Sequence, residues 1–338
     1  MSLSKQDQAL VRQLLASHGG AENADLAEDI IEVAVRLLDD QADRLDTKII
    51  AAALKEMRYA AKVFGPFRGK RKVTVFGSAR TQPDAAEYRQ AVEFGRAIVA
   101  RGFMVITGGG EGIMGAAQRG AGRENSFGLN IRLPFEQEPN EEIAGDSKLI
   151  HFKYFFTRKL YFLKETDSLV MFPGGFGTHD EAFEALTLIQ TGKSQPKPLV
   201  FIDRPRGNYW KTWWRFVEDQ LLDRDLIGRE DLALFKVTDN IEDACNEICQ
   251  FYGNYHSSRY IRDALYLRVK HPVTDSLLRT LNDRFADICL NSDKIHAATK
   301  LPKEEDEPEL ADLHRIVCPF NRTHFGRLRK LIDVVNQH

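Results

Sequence analysis

Five short apolar runs alternate with helical stretches between residues 73 and 202, and this alternation constrains the chain more than any other feature. The runs are VTVF (73–76), FMVIT (103–107), FGLNIRL (127–133), SLVMF (168–172) and PLVFI (198–202). Helical patterns occupy 84–101, 112–122, 155–166, 178–191 and 210–222. A strand that is apolar along its whole length has to be covered on both faces. The pattern therefore predicts an α/β domain whose parallel sheet carries helices on either side. Three of the turns that follow strands are rich in glycine: GSAR at 77–80, GGGEGIMG at 108–115 and PGGFGT at 173–178. Ligands of open α/β sheets sit beyond the carboxyl ends of the strands. Three glycine turns at those ends point to one shared crevice.

The flanks read differently. In DLAEDIIEVAVRLLDD, Leu26, Ile30, Val33 and Leu37 share one helical face, and KIIAAALKEMRYAAKVF continues the period until GPFRGKRK (65–72) breaks it. Residues 1–69 thus predict a helical segment without catalytic clustering, suited to packing or oligomerisation. Residues 70–252 hold the α/β domain. Beyond 253, the stretch 259–290 reads as a strand followed by a helix, LPKEEDEPEL (301–310) as an exposed acidic loop, and 324–338 as a closing helix. Residues 253–338 therefore predict a small α+β extension.

Composition narrows the function classes. Of 338 residues, 43% are hydrophobic and 28% charged, as in a soluble globular protein. A net charge of −2 gives no bulk attraction to nucleic acid or membrane, and neither is expected as a partner. Four cysteines (245, 249, 289 and 318) are too few and too scattered for a disulfide framework or a zinc site, so reduced thiols and no metal are expected. The polar N-terminus does not read as a signal peptide, and no run of 18 apolar residues occurs. A cytoplasmic protein is the expectation.

The turn at 173–178 carries the clearest chemistry. Glycine permits backbone amides to converge on a ligand, and the helix that follows begins with unpaired N–H groups and a partial positive charge. Together they make an anion seat best suited to phosphate. Thr178 is placed to cap that helix and to donate to a phosphate oxygen. The plain alternative is a tight strand-to-helix turn with an ordinary cap. GEGIMG (110–115) matches G-x-G-x-x-G, with Glu136 about 20 residues on, which is the pattern of a dinucleotide site. It follows the second strand rather than the first, however, and the 173–178 turn competes for the same crevice. No G-K-[ST] follows, so it is not a Walker A loop. Asp180 and Glu181 lie just inside the helix, with Glu184 one turn beyond. Acids in a first turn are commonly dipole partners. Beside a seated phosphate, though, Glu181 reaches the attached sugar, where a carboxylate stabilises an oxocarbenium-like centre or activates water. Arg158 and Lys159 fall early in their own helix, near the strand ends. Arg presents a rigid donor fork to phosphate, carboxylate or base.

These stretches resemble one family in combination. PGGFGTHDE resembles the P-G-G-x-G-T-x-x-E signature of the LOG (Lonely Guy) family, long labelled lysine decarboxylases. FFTRK (155–159) resembles its M-x-x-R-K, TGGGEGIMGAA its G-G-G-x-x-G-x-M-G turn, and VFGSAR its first-strand F-x-G-S. The resemblance covers roughly residues 70–250 and looks like the longer bacterial branch. It implies a Rossmann-like, doubly wound parallel sheet. It also implies hydrolysis of the N-glycosidic bond of nucleoside 5′-monophosphates, AMP-like or cytokinin riboside, to free base and ribose 5-phosphate. No cofactor is implied, and a homodimer or higher homo-oligomer is. Carried onto this chain, Arg158 and Glu181 match the catalytic pair, and Gly174, Gly175, Gly177 and Thr178 match the phosphate loop. Lys159, Asp180 and Thr187 fall at nucleotide-contacting positions. Ser78, Gly109 and Gly110 match the other two turns, and Glu136 or Glu138 the substrate-binding acid after the third strand. Two residues depart from the pattern: Phe155 stands for Met, and His179 for a residue that is usually apolar. Both bear on the base pocket. Two competing readings remain. A pyridoxal phosphate decarboxylase would need a Schiff-base lysine, and Lys159 is the only lysine in the constellation. A non-catalytic carrier of nucleotide or molybdenum cofactor would share the fold but has no need of the Arg158/Glu181 pair.

Overall fold

The computed structural model describes residues 4–18, 21–133, 138–298 and 310–338. They form two compact units, Met1–Tyr59 and Ala60–His338.

The first unit holds helices α1 (Lys5–Ala16), α2 (Ala24–Asp39) and the greater part of α3 (Arg44–Phe64). The Ser4 hydroxyl caps α1 by accepting from the Asp7 amide at 3.2 Å. Arg12 pairs with Glu28 at 3.1 Å, joining α1 to α2. The predicted apolar stripe does form one face of α2, but Leu26, Ile30 and Val33 are 57, 49 and 56% exposed. Periodicity chose the helix; it did not bury it.

In the second unit, seven parallel strands stand in the order β4-β3-β2-β1-β5-β6-β7. They are β1 (Lys72–Phe76), β2 (Met104–Thr107), β3 (Ser126–Ile131), β4 (Leu149–Phe152), β5 (Ser168–Met171), β6 (Leu199–Ile202) and β7 (Lys236–Thr238). The crossovers are α4 (Ala86–Ala100), α5 (Ile113–Ala121), α6 (Phe155–Lys164), α7 (Phe176–Gln190) and α8 (Tyr209–Phe216), with α9 (Ile241–Phe251) after β7. Successive strand residues face opposite sides. Val75 and Val200 join a buried cluster with Phe94 of α4 and Ile248 of α9. Their neighbours Phe76 and Phe201 pack instead on Phe162 of α6 and Trp210 of α8, with ring centroids 4.9 and 4.6 Å apart. The sheet is therefore covered on both faces, as the uniformly apolar runs require. It is an α/β, Rossmann-like doubly wound sheet.

The two outermost strands, β4 and β7, are absent from the five apolar runs. β4 exposes His151, and all three residues of β7 are half-buried. An edge strand need not be apolar throughout, so its signal is weak.

The stretch predicted as one strand and one helix beyond 253 contains two strands. β8 (Tyr255–Ile261) and β9 (Ala264–Val269) form a hairpin in which Ile261 pairs Ala264. The turn is Arg262–Asp263, with Arg262 at φ 53°. Without glycine or asparagine there, nothing in the sequence announces it. With β10 (His296–Ala298) and β11 (His314–Cys318) the hairpin makes an antiparallel sheet in the order β10-β11-β9-β8. Helices α10 (Asp275–Phe285) and α11 (Phe325–Asn336) accompany it. Leu267, Ile316, Phe285 and Leu331 belong to the same buried cluster as Val73 and Val105 of the first sheet. The two sheets thus share one continuous core.

Candidate active site

The three glycine turns meet at the carboxyl ends of β1, β2 and β5. The Ser78 amide donates to the Pro173 carbonyl at 3.1 Å, and the Ile113 amide donates to the Ser78 carbonyl at 3.0 Å. One residue of the first turn thereby ties the other two together. A side chain on Gly112 (φ 67°) would lie 2.3 Å from the Ser78 carbonyl oxygen. This glycine of the G-x-G-x-x-G match serves the contact between turns. Gly109 (φ 73°) donates to the Thr107 hydroxyl at 3.0 Å. Buried Asn140 closes the turn: its amide donates to the Gly109 carbonyl and its Nδ2 to the Gly110 carbonyl, both at 2.8 Å.

α7 begins two residues earlier than the spacing predicted, at Phe176, with Gly175 in the capping position. Thr178 therefore does not cap the helix. It is the third helical residue and buried, and its Oγ1 would lie 2.1 Å from a Cβ placed on Gly174. No side chain caps α7. The amides of Phe176 and Gly177 lie in its first turn and have no intrahelical acceptor. A Cβ on Gly175 or Gly177 would meet nothing within 4 Å. An anion can thus approach this backbone closely, with the helix dipole behind it.

Charged groups gather beside this turn from α6 and α7. The Lys159 ammonium lies 2.7 Å from Asp180, 2.8 Å from Glu184 and 3.8 Å from Glu181. Burial pulls the Lys159 pKa down, but the hydrogen bonds to Asp180 and Glu184 outweigh it and the net direction is up. Glu181 is 5% exposed. Burial pushes its carboxyl up to about 7, against the pull of Lys159 and Arg158. Arg158 has no ion pair among the described residues, and its Nε is buried without a hydrogen-bond partner. Its guanidinium lies 5.0 and 5.4 Å from the Phe155 and Phe162 ring centroids. Burial lowers its pKa, opposed by Glu181 and Asp180. A carboxyl that titrates near neutrality, beside a desolvated cation and an open anion seat, has the chemistry of an acid–base site.

Not every expected residue joins the cluster. Thr187 is exposed, three residues beyond Glu184 on α7, and its hydroxyl donates to the Phe183 carbonyl at 2.8 Å. Glu136 lies outside the described residues, and Glu138 is exposed. His179 turns toward aromatic rings, 5.9 Å from Tyr209 and 5.7 Å from Trp210. The Tyr209 hydroxyl donates to the Gly174 carbonyl at 2.5 Å. Its one hydrogen is thereby used, so His179 Nε2, 2.8 Å away, is the donor to the Tyr209 oxygen. Burial lowers the His179 pKa, which favours the neutral ring. Tyr209 and Asn140 are the supports that sequence reasoning missed. Neither lies in a motif, and only folding brings them to the turns. Tyr209→Phe should cost about 0.5–1.5 kcal/mol of stability. It should also speed hydrogen exchange at the amides of 174–178, a change that exchange mass spectrometry would detect.

Residues 114–248 match the family model described as "Possible lysine decarboxylase". The cytokinin riboside 5′-monophosphate phosphoribohydrolase of Mycobacterium tuberculosis is 30% identical over 178 residues, which is 51% of this chain and 90% of the relative. A protein of the same name from Arabidopsis thaliana is 25% identical over 152 residues, 44% of this chain and 68% of the relative. Among solved structures, the molybdenum cofactor carrier protein of Chlamydomonas reinhardtii is similar over 54% of this chain and 97% of its own, at 22% identity and a TM-score of 0.38. With nine-tenths of the mycobacterial relative matched and the glycine turns brought together, the chain belongs to the LOG family.

Proposed function

We propose that the protein is a nucleoside 5′-monophosphate phosphoribohydrolase, cutting the N-glycosidic bond to give free base and ribose 5-phosphate. The observation that carries this reading is Glu181. It is a buried carboxyl held near neutrality, six residues past the capping glycine of a helix whose N-terminus is an open anion seat. With the 5′-phosphate on the amides of 175–177, the sugar extends over α7. As the C1′–N bond lengthens, positive charge grows at C1′, and ionised Glu181 stabilises it. Water adds at C1′, Glu181 takes its proton, and the base leaves with the bonding pair and takes a proton from solvent. Arg158, desolvated and in no ion pair among the described residues, orients the nucleotide and supports base departure. Lys159 holds Asp180 and Glu184 in place.

The same electrostatics argue against Lys159 as a Schiff-base lysine. An amine nucleophile needs a depressed pKa, whereas the carboxylates around Lys159 raise its own.

The test is chromatographic detection of free base from AMP, GMP, CMP and UMP. Release from at least one, with ribose 5-phosphate as co-product, is expected. No release from any of the four would turn the reading toward a nucleotide-binding carrier.

A further inference from the structure

Far from the glycine turns, at the amino ends of β1, β5 and β6, lies a cleft of about 1140 Å³. Among the described residues that line it, seven are Lys or Arg and two are carboxylates. Both carboxylates are already engaged. Asp167 accepts from the Arg71 guanidinium at 2.8 Å and from the Lys72 amide at 2.9 Å, and Glu165 pairs with Lys164. Two ammonium groups are buried in the wall, and among the described residues their hydrogen-bond partners are carbonyls. Lys72, 3% exposed, donates to the carbonyls of Phe67 and Lys70 at 2.8 and 2.9 Å. Lys197, 9% exposed, donates to those of Leu163 and Thr166, both at 2.8 Å. An ammonium has three donors, so each keeps one beyond those two bonds. Burial outweighs the pull of Asp167 and pushes Lys197 down to about 8, and it lowers Lys72 as well. Arg68, Lys70 and Lys193 are exposed lining residues and enter no ion pair among the described residues. Leucines 160, 163 and 188 add apolar wall.

Two carbonyl bonds and the attraction of Asp167 offset only part of the cost of burying each ammonium group, since burial still lowers both. An anion bound in the cleft would supply the missing charge. We propose that this cleft is a second anion site, separate from the glycine turns, that takes a small molecule bearing two or more phosphate groups. One phosphate would accept from the spare donors of Lys72 and Lys197. The next would reach Arg68, Lys70 and Lys193, and the leucines would receive an apolar body. Among the described lining residues seven cations face two carboxylates, a surplus of positive charge larger than a single phosphate group carries. The two sites also differ in kind: amides and a helix N-terminus serve the first, side-chain ammonium groups the second.

The test is calorimetric titration of the full chain with inorganic tripolyphosphate. Two binding events are expected, one at each site. The triple variant Arg68→Glu, Lys70→Glu, Lys193→Glu should weaken one event by at least about tenfold, because several charge-assisted contacts are reversed. It should leave the other event unchanged. All three positions are exposed, so the melting temperature should hold. Gly175→Ala should weaken the other event and spare this one. Lys197→Met should weaken the same event as the triple variant. The proposal is overturned if the triple variant titrates like the unmodified protein. It is also overturned if the unmodified protein shows no event, or only one that Gly175→Ala removes.

Discussion

Glu181→Gln is expected to lower base release by about 10²–10⁴-fold while leaving the protein at least as stable above pH 7. Glutamine keeps the shape of the side chain but cannot take a proton from water or face a developing cation with charge. The stability argument follows from the raised carboxyl. Its pKa moves from 4.5 to about 7 on folding, chiefly because burial disfavours the ionised form. A group raised in this way contributes stability below its unfolded value and loses that contribution as pH climbs through about 7. Glutamine has nothing to ionise, so urea unfolding at pH 6 and pH 8.5 should show the variant gaining on the unmodified protein at the higher pH. The catalytic argument runs the other way along the same axis. A base must be ionised, so kcat/KM for the preferred nucleotide should rise through about pH 7 and level off above it. A profile that falls through that range would make Glu181 the acid instead. Full turnover in the variant would remove it from the reaction.

The second large effect separates two adjacent glycines. A Cβ on Gly174 would stand 2.1 Å from Thr178 Oγ1, 2.8 Å from its Cβ and 3.1 Å from the Ser78 amide nitrogen. Gly174→Ala must therefore push apart the first and third turns, at about 1–3 kcal/mol, and both the melting temperature and turnover should fall. Gly175 has open space above it and a φ of −87° that alanine adopts freely. Gly175→Ala should melt like the unmodified protein. The added methyl should nevertheless stand where the phosphate approaches, raising KM and the inhibition constant of ribose 5-phosphate by about tenfold or more, the loss of one or two charge-assisted bonds. Equal loss of stability in both variants would mean that the turn is glycine-rich only to fold.

The same contrast shows what could be read in advance. Glycine, proline and the two acids of 173–181 pointed to a phosphate turn because each residue type has a local reason to be there. The sequence could not say which glycine serves packing and which serves a ligand, since that depends on Thr178 and Ser78 arriving from elsewhere. It also misplaced the start of α7 by two residues, and with it the role of Thr178 as a cap. His179 stood out as a departure from the family pattern. Its partner Tyr209 lies 30 residues away and had no local signature. Asn140, in a stretch without periodicity, gave no sign that it closes the 108–115 turn.

The five apolar runs and the helices between them, by themselves, determined an α/β sheet covered on both faces, because a strand apolar throughout has no solvent-facing side. The glycine turns and the helix start proposed to seat the phosphate were also legible, because both are local features. Only the tertiary structure decided the edge strands, the hairpin at Arg262–Asp263 and the sharing of one core by two sheets. It alone raised the Glu181 carboxyl, desolvated Arg158 and gathered lysines and arginines at the far end of the sheet. Burial and the distance between charges set those properties, and both arise from contacts between residues far apart in the chain.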